Sequence, residues 1–318
     1  MYEKAEMRTV MARLLKEAIQ QDENIILLDA DLARANGILP LFEEFPQQTL
    51  DVGVAESNMA CVAAGLASYG YKPFIFTFAA FASRRICDQV MISIAYARQN
   101  VKIVGTDPGI AAELNGGTHM ALEDVGVMRS IPSMVIFEPV DCYQLAKAMP
   151  QILAYEGPIY IRMFRKVPPA TWFAAEDYKF DLFKADLLRS GRDVTLYATG
   201  IEVTQAMKAA GVLSQKGIEA EVINIHTIKP IDWHTVAQSA AKTGCGVVCE
   251  NHNVIGGLGS AVAECLANHH PIPLEFIGAQ DHFAEVGKMP YLLEKFQMDA
   301  ESIVKKAELV LKRKKLSC

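Results

Sequence analysis

One glutamate, Glu56, stands where catalysis could take place. The segment DVGVAESNMACVAAGLASYG places it directly after a strand and a glycine-containing turn, at the head of an Ala-rich helix. In an open parallel sheet this position is the carboxyl edge, where ligands bind. The alternative is that Glu56 is only a favourable negative charge in the first turn of a helix. We expect a carboxylate with few local partners that is removed from water, because its neighbours are apolar: Val52, Val54, Ala55, Met59 and Ala60.

The next segment, KPFIFTFAAFASRRICDQVMISIAY, brings aromatic rings close to that carboxylate. Phe76, Phe78 and Phe81 come where a strand ends, and Arg84 and Arg85 open the following helix. Aromatic side chains in such places ordinarily pack the core. With a buried acid one strand away, they predict a slot for a flat heteroaromatic ring with an acid at its edge.

These segments belong to a series in which short β-rich runs alternate with stretches of helical periodicity. It predicts strands at 25–28, 73–77, 101–105, 134–137 and 158–162, and helices at 6–19, 57–68, 84–98 and 143–153. The rhythm fails over 166–192 and resumes with strands at 194–198, 220–225 and 246–250 and helices at 203–216, 235–242 and 259–267. We therefore predict an α/β fold with parallel sheets covered on both faces. The two predicted domains, 1–180 and a smaller 181–318, are expected to be separate α/β units.

Composition limits the class of protein. The 318 residues are 51% hydrophobic and 21% charged, which excludes a disordered chain. A formal net charge of −6 argues against a nucleic-acid or anionic-membrane surface. No apolar stretch reaches the roughly 18 residues of a membrane span, and the beginning lacks the apolar core of a secretory signal. Seven cysteines without zinc-ligand spacing indicate a reducing cytoplasm.

Taken in order, several runs of the chain resemble the C-terminal half of transketolases, encoded as a separate subunit. These runs are VGVAESNMACVAAGLA, FTFAAFASRRICDQV, GTDPGIAAELNGGTHMALEDVGVMRSIPSMVIFEPVD, GPIYIRMFRK and CENHNVIGGLGSAVAE. The resemblance implies a thiamine-diphosphate pyrimidine-binding domain followed by a transketolase C-terminal domain. It also implies the transfer of a two-carbon ketol unit from a ketose or ketose phosphate to an aldose or aldose phosphate, with thiamine diphosphate and Mg²⁺ as cofactors.

The resemblance assigns cofactor-side roles to five residues. The glutamate at the position of Glu56 donates a hydrogen bond to a ring nitrogen of the aminopyrimidine and promotes its imino tautomer, so that Glu56 is a catalytic residue. Phe81 matches the ring-stacking position, with Phe78 as its neighbour. Asp31 matches a carboxylate near the cofactor and the subunit contact, and Arg84 is placed on the same side.

On the substrate side, His119 matches a histidine that hydrogen-bonds substrate hydroxyls near the reacting carbon. Arg165 and Arg8 match arginines that receive the substrate phosphate. Asp107 stands where a second substrate-contacting histidine is expected, and Asn115 replaces an aspartate.

A further departure is Ala35, which stands where a phosphate-binding serine is expected. The donor end of the pocket is therefore changed, which favours a specialised sugar or sugar phosphate.

The chain lacks the Gly-Asp-Gly followed by Asn with which this family binds magnesium and the diphosphate. We therefore expect no metal ligands here and a separate partner subunit of similar size, with the active site at the interface and two copies of each chain. Two alternatives stay open. One is a beta subunit of a 2-oxoacid dehydrogenase, which shares a pair like Asp88 and Gln89. The other is a non-catalytic scaffold or regulatory subunit, which would not need Glu56.

Overall fold

The computed structural model of the protein describes Tyr2 and residues 4–316. Its strands are β1 Ile25–Asp29, β2 Thr49–Asp51, β3 Lys72–Phe78, β4 Lys102–Thr106, β5 Val135–Phe137, β6 Ile159–Met163, β7 Asp186–Arg189, β8 Val194–Ala198, β9 Ala220–Asn224, β10 Thr227–Lys229, β11 Gly246–Asn253 and β12 Leu274–Ala279. Its helices are α1 Met7–Gln21, α2 Ala33–Asn36, α3 Leu39–Glu44, α4 Glu56–Ser68, α5 Ala79–Ala82, α6 Cys87–Gln89, α7 Asp124–Arg129, α8 Cys142–Ala154, α9 Glu202–Gln215, α10 Trp233–Thr243, α11 Leu258–His269, α12 Met289–Lys295 and α13 Ala300–Leu316.

The first sheet has seven strands in the order β10-β5-β6-β4-β3-β1-β2, parallel except for β10. Every residue of β1, β4 and β6 is buried, as expected for parallel strands covered on both faces. Helices α1 and α8 pack together, and α4 packs against β3. The parallel α/β fold predicted from the sequence is confirmed.

The second sheet has the order β12-β11-β8-β9-β7, parallel except for β7. Helices α9 and α13 pack against each other, as do α10 and α11. The sequence did not predict β7, which lies inside the aperiodic stretch after residue 166. The strand is short, has no fully buried residue and pairs antiparallel at the edge of the sheet, so its own hydrophobic pattern is weak.

Each half has its own sheet, but one strand crosses between them. Strand β10 follows β9 in the chain but joins the first sheet, where Thr227 pairs with Phe137 and Lys229 with Ile136. The Lys229 ammonium group donates to the carbonyl oxygen of Arg129 at 2.7 Å. A strand from the second half therefore completes the edge of the first sheet.

A buried ion network also joins the halves. Arg162 is 1% exposed and donates through Nε to Asp124 Oδ2 at 2.8 Å and through Nη1 to Glu138 Oε1 at 2.7 Å. Its Nη2 donates to the carbonyl oxygen of Asn251, on β11, at 2.6 Å. The Asn251 side chain in turn accepts from the backbone N–H of Ile110 at 2.9 Å. The second half thus holds the turn that follows β4.

One predicted helix is wrong in detail. In place of a single helix over 84–98, the chain forms a 3-10 turn Arg84–Ile86, the short α6 and a π-helical segment Val90–Tyr96. The apolar spacing of this stretch is close to helical in all three forms, so periodicity could not separate them.

Candidate active site

The predicted site residues gather at the carboxyl edge of the first sheet. Phe78 ends β3, Asp107 follows β4, and Arg165 comes two residues after β6. Strands β3, β4 and β6 are neighbours in the sheet, so their ends meet.

Glu56 is the first residue of α4 and is 4% exposed, as the sequence predicts. Its carboxylate pairs with a residue distant in the chain, because Arg85 Nη1 lies 2.5 Å from Glu56 Oε1. The Arg85 side chain is 43% exposed, so the ion pair sits at the opening of the site. Sequence reasoning missed this arginine as a site residue.

The aromatic slot is formed by Phe78, Phe81 and His119. The two phenyl centroids are 6.0 Å apart, and the imidazole centroid of His119 lies 5.9 Å from Phe78 and 5.2 Å from Phe81. The remaining ring of the segment, Phe76, is fully buried in the core with the strand residues of the opposite face and does not line the slot.

The contacts of Arg85 indicate whether the slot can hold the pyrimidine ring that the resemblance implies. Its guanidinium carbon lies 3.7 Å from the Phe81 ring centroid while its Nη1 bonds the Glu56 carboxylate. A planar group with nitrogen donors therefore stacks on the ring and meets the acid at its edge at the same time. An aminopyrimidine in the place of Arg85 would stack on Phe81 in the same way and bring a ring nitrogen to Glu56, whose protonated carboxyl group would then be the donor, so the residues present fit it.

Arg84 points in another direction. Its Nη1 lies 2.5 Å from Glu123 Oε1, and its Nη2 donates to the carbonyl oxygen of Thr118 at 2.6 Å. It therefore braces the loop that carries His119 instead of facing the slot. The adjacent arginines Arg84 and Arg85 indicated that a cation could lie near Glu56. Because the segment is an irregular helix, its periodicity could not show which of the two faces Glu56.

The opposite end of the site is rich in charge. Arg8 Nη1 and Arg165 Nη1 both donate to the carbonyl oxygen of Ala35, at 3.0 and 3.2 Å. Arg165 Nε also lies 2.5 Å from Oδ2 of Asp107, which is 2% exposed. Burial raises the pKa of Asp107, and the neighbouring Arg165 opposes this effect. The structure thus brings together three residues that the sequence placed on the substrate side.

Two other predicted residues lie further out. Asp31 is exposed after β1, and its backbone N–H donates to Asp51 Oδ1 at 3.1 Å. Asn115 is exposed at the end of the 3-10 turn Gly109–Asn115. Neither is brought into the aromatic slot by the contacts above, and their roles stay predictions.

Over Tyr2 and residues 4–316, no group of three or more His, Cys, Asp and Glu side chains is placed to hold a metal ion. In the same part of the chain, no helix is both long and apolar enough to cross a membrane. Cys245 and Cys249 are buried, as predicted, whereas Cys318 lies outside the residues that the structure describes.

Residues 3–169 match the family model described as "Transketolase, pyrimidine binding domain", and residues 183–303 match "Transketolase, C-terminal domain". The chain belongs to the transketolase family. It is a transketolase-type subunit with the two-domain α/β architecture that the sequence predicts, and the alternative of a 2-oxoacid dehydrogenase subunit is not favoured.

Similar proteins include several chains of the same extent. The chain is 54% identical over 308 residues to the 6-deoxy-6-sulfo-D-fructose transketolase subunit SqwH of Clostridium sp. (strain MSTE9), covering 97% of this chain and 95% of that one. It is 39% identical to the putative transketolase C-terminal section of Methanocaldococcus jannaschii, covering 94% of each. A solved structure described as "Split gene transketolase, inactive beta4 tetramer" matches with a TM-score of 0.87 and 37% identity, covering 97% of this chain and 99% of that one.

Proposed function

We propose that this chain supplies the pyrimidine-binding half of a thiamine-diphosphate-dependent transketolase that is active only with a separate partner subunit. The observation that carries the proposal is the buried Glu56 carboxylate beside the Phe81 ring, already bonded to a planar nitrogen donor. The family membership and the extent of SqwH, a subunit that this chain covers almost end to end, support it.

The residues of this chain divide the work along the site. Thiamine diphosphate, when bound, supplies the carbon nucleophile that accepts and releases the two-carbon ketol unit. Phe81 stacks on the pyrimidine ring, and Glu56 holds a proton at the ring nitrogen nearest to it. His119 packs against both phenyl rings, where its imidazole can donate to a substrate hydroxyl. Glu56 is 4% exposed, so water competes little for its hydrogen bond.

The rest of the site is assigned to the partner. The chain carries no Gly-Asp-Gly and Asn signature, so the proposal places Mg²⁺ and the diphosphate on the other subunit. The catalytic unit would then be an assembly of two copies of each chain in the cytoplasm. A scaffold without catalysis is the competing function, and it does not require the contact between Glu56 and the slot.

The proposed donor is a ketose whose far end carries a negative charge. Arg8 and Arg165 converge on one carbonyl oxygen at the end of the site opposite Glu56. The 54% identity to SqwH favours a sulfonated ketose over the common pentose and hexose phosphates.

The test is turnover by the complex with the partner subunit, with 6-deoxy-6-sulfofructose as the donor and an aldose phosphate as the acceptor. Glu56→Gln removes the proton that the ring nitrogen needs, so we expect kcat to fall by about 100-fold or more. Glu43→Gln, at an exposed glutamate of α3, is the matched control and should leave kcat unchanged. Near-normal turnover by Glu56→Gln would favour the scaffold.

A further inference from the structure

The arginine pair lies on a continuous path from the aromatic slot. The guanidinium carbon of Arg165 is 4.9 Å from the Phe78 ring centroid, and Phe78 packs against His119 on the slot side. The backbone N–H of Arg8 donates to the carbonyl oxygen of Arg165 at 3.1 Å, which holds the two arginines together. A ketose with its reacting carbon at His119 would therefore direct its far end at Arg8 and Arg165.

Each arginine already has a carboxylate of its own. Arg8 lies 2.8 Å from Glu6 and Arg165 lies 2.5 Å from Asp107, so the four side chains together carry no net charge. The two acids are not equivalent, because the side chain of Glu6 is 39% exposed and that of Asp107 only 2%. Solvent screens the charge of Glu6, whereas the charge of Asp107 acts almost unscreened on any anion held beside Arg165.

Other charges near this end are engaged elsewhere or face solvent. Lys166 pairs with Glu113, whose carboxylate also accepts from the backbone N–H of Met289 at 2.8 Å. Arg34 is exposed on α2, and the buried Asp29 accepts from Asn36 Nδ2 at 2.8 Å and from the backbone N–H of Leu32. The buried carboxylate of Asp107 is therefore the group that sets how much negative charge the arginine pair accepts.

We infer that Asp107 selects a donor ketose that ends in a monoanion, such as a sulfonate, against one that ends in a phosphate. This inference rests on the proposed function and names the residue that decides its substrate class. A phosphate monoester carries a charge of about −1.5 to −2 near neutral pH, whereas a sulfonate carries a single charge. The additional charge is repelled by the buried Asp107 carboxylate, while a single charge is balanced when Arg165 and Arg8 turn toward it.

The experiment compares kcat/KM for fructose 6-phosphate and 6-deoxy-6-sulfofructose in the complex of this chain with its partner, at pH 8. Asp107→Asn removes the charge but keeps the shape and an acceptor oxygen. Asparagine also tolerates the left-handed backbone at this position, where φ is 49°. We expect the phosphate-to-sulfonate ratio of kcat/KM to rise at least tenfold.

Asp281→Asn is the matched control, since Asp281 also has a left-handed backbone, with φ of 55°, but is exposed. It should change the ratio less than twofold. An unchanged ratio in Asp107→Asn, or a wild-type complex that prefers the phosphate, would overturn the inference. If Asp107→Asn does not fold, the same ratio is measured in Asp107→Ser.

A readout that needs no turnover separates this inference from the proposed function. Protection of the complex from thermal unfolding is measured with inorganic phosphate and with methanesulfonate at pH 8. Asp107→Asn should increase the protection by phosphate relative to that by methanesulfonate, even if neither ketose is turned over. Absence of turnover would contradict the proposed function but not the role of Asp107. Equal relative protection in wild type and variant would count against the role of Asp107.

Discussion

Glu202 shows how a single buried side chain links stability to pH. It is the first residue of α9, it is fully buried, and neither of its carboxyl oxygens has a hydrogen-bond partner among the described residues. Burial raises its pKa well above the ordinary value, and the nearby acids Glu138, Asp299 and Glu250 raise it further. The folded protein therefore keeps a proton on Glu202 that the unfolded chain releases once the pH exceeds about 4.3.

The sign of the effect follows from that difference. Because the folded state binds the proton more tightly, Glu202 costs stability as the pH rises, by about 1.4 kcal/mol per pH unit between the unfolded and the folded pKa. Glu202→Gln has the same shape and no proton to lose. We expect it to raise Tm more at pH 8 than at pH 5. Glu43→Gln, at an exposed glutamate of α3, is the control and should shift Tm little at either pH. A Tm difference between wild type and Glu202→Gln that does not change with pH would contradict the prediction.

At the scale of elements, α9 begins and ends beside glycines in the left-handed region. Gly200 has φ of 53° and Gly217 has φ of 76°. A Cβ atom on Gly200 would overlap the Glu138 carboxylate, whereas nothing lies within 4 Å of a Cβ on Gly217. Glu138 cannot give way easily, because it is held by Arg162 in the buried network between the halves. The start of α9 is therefore fixed by close approach to the first half.

We expect Gly200→Ala to lower the free energy of unfolding by about 2–4 kcal/mol, the sum of a left-handed alanine and an overpacked core. Gly217→Ala has the same backbone penalty without the crowding, so it should cost about 1 kcal/mol. The measurement is the urea midpoint of each variant, with the m-value checked for constancy. Equal losses in the two variants would show that crowding against Glu138 does not matter.

At the scale of the whole molecule, several apolar side chains are exposed near the candidate site. Val54, two residues before Glu56, is 74% exposed, and Phe283, in the loop after β12, is 96% exposed. Leu114, near the end of the 3-10 turn, is 65% exposed. Exposed apolar groups close to a ligand site are typical of surfaces that another chain covers.

We expect the isolated chain to bind thiamine diphosphate weakly or not at all, in the presence or absence of Mg²⁺, because its sequence has no Gly-Asp-Gly run and the proposal assigns the diphosphate to the partner. The mixture with the partner subunit should bind the cofactor in a magnesium-dependent manner. Calorimetric titration measures the binding, and light scattering should give the mass of two copies of each chain. Tight magnesium-dependent binding by the single chain would contradict the proposed division of the site.

Much of this protein was determined by local sequence pattern. Mostly apolar runs predicted strands such as β1, β4 and β8 to within a residue or so, because a strand buried on both faces is apolar over most of its length. The sequence also predicted the position of Glu56 at the head of an Ala-rich helix and the position of Phe81 at the end of a strand, because each depends only on a short local segment. Short edge strands such as β7 and β10 were not, because pairing with distant strands stabilises them more than their own pattern does.

Tertiary structure decided the contacts that join distant parts of the chain. The sequence could not choose between Arg84 and Arg85 as the partner of Glu56, because the choice depends on how an irregular turn packs across the sheet edge. Nor could it show that Asp107 pairs with Arg165, 58 residues further on. The sequence gives each side chain's type directly, and the apolar residues around it indicate whether it is buried. Its ion-pair partner is selected by the geometry of strands that meet only after folding.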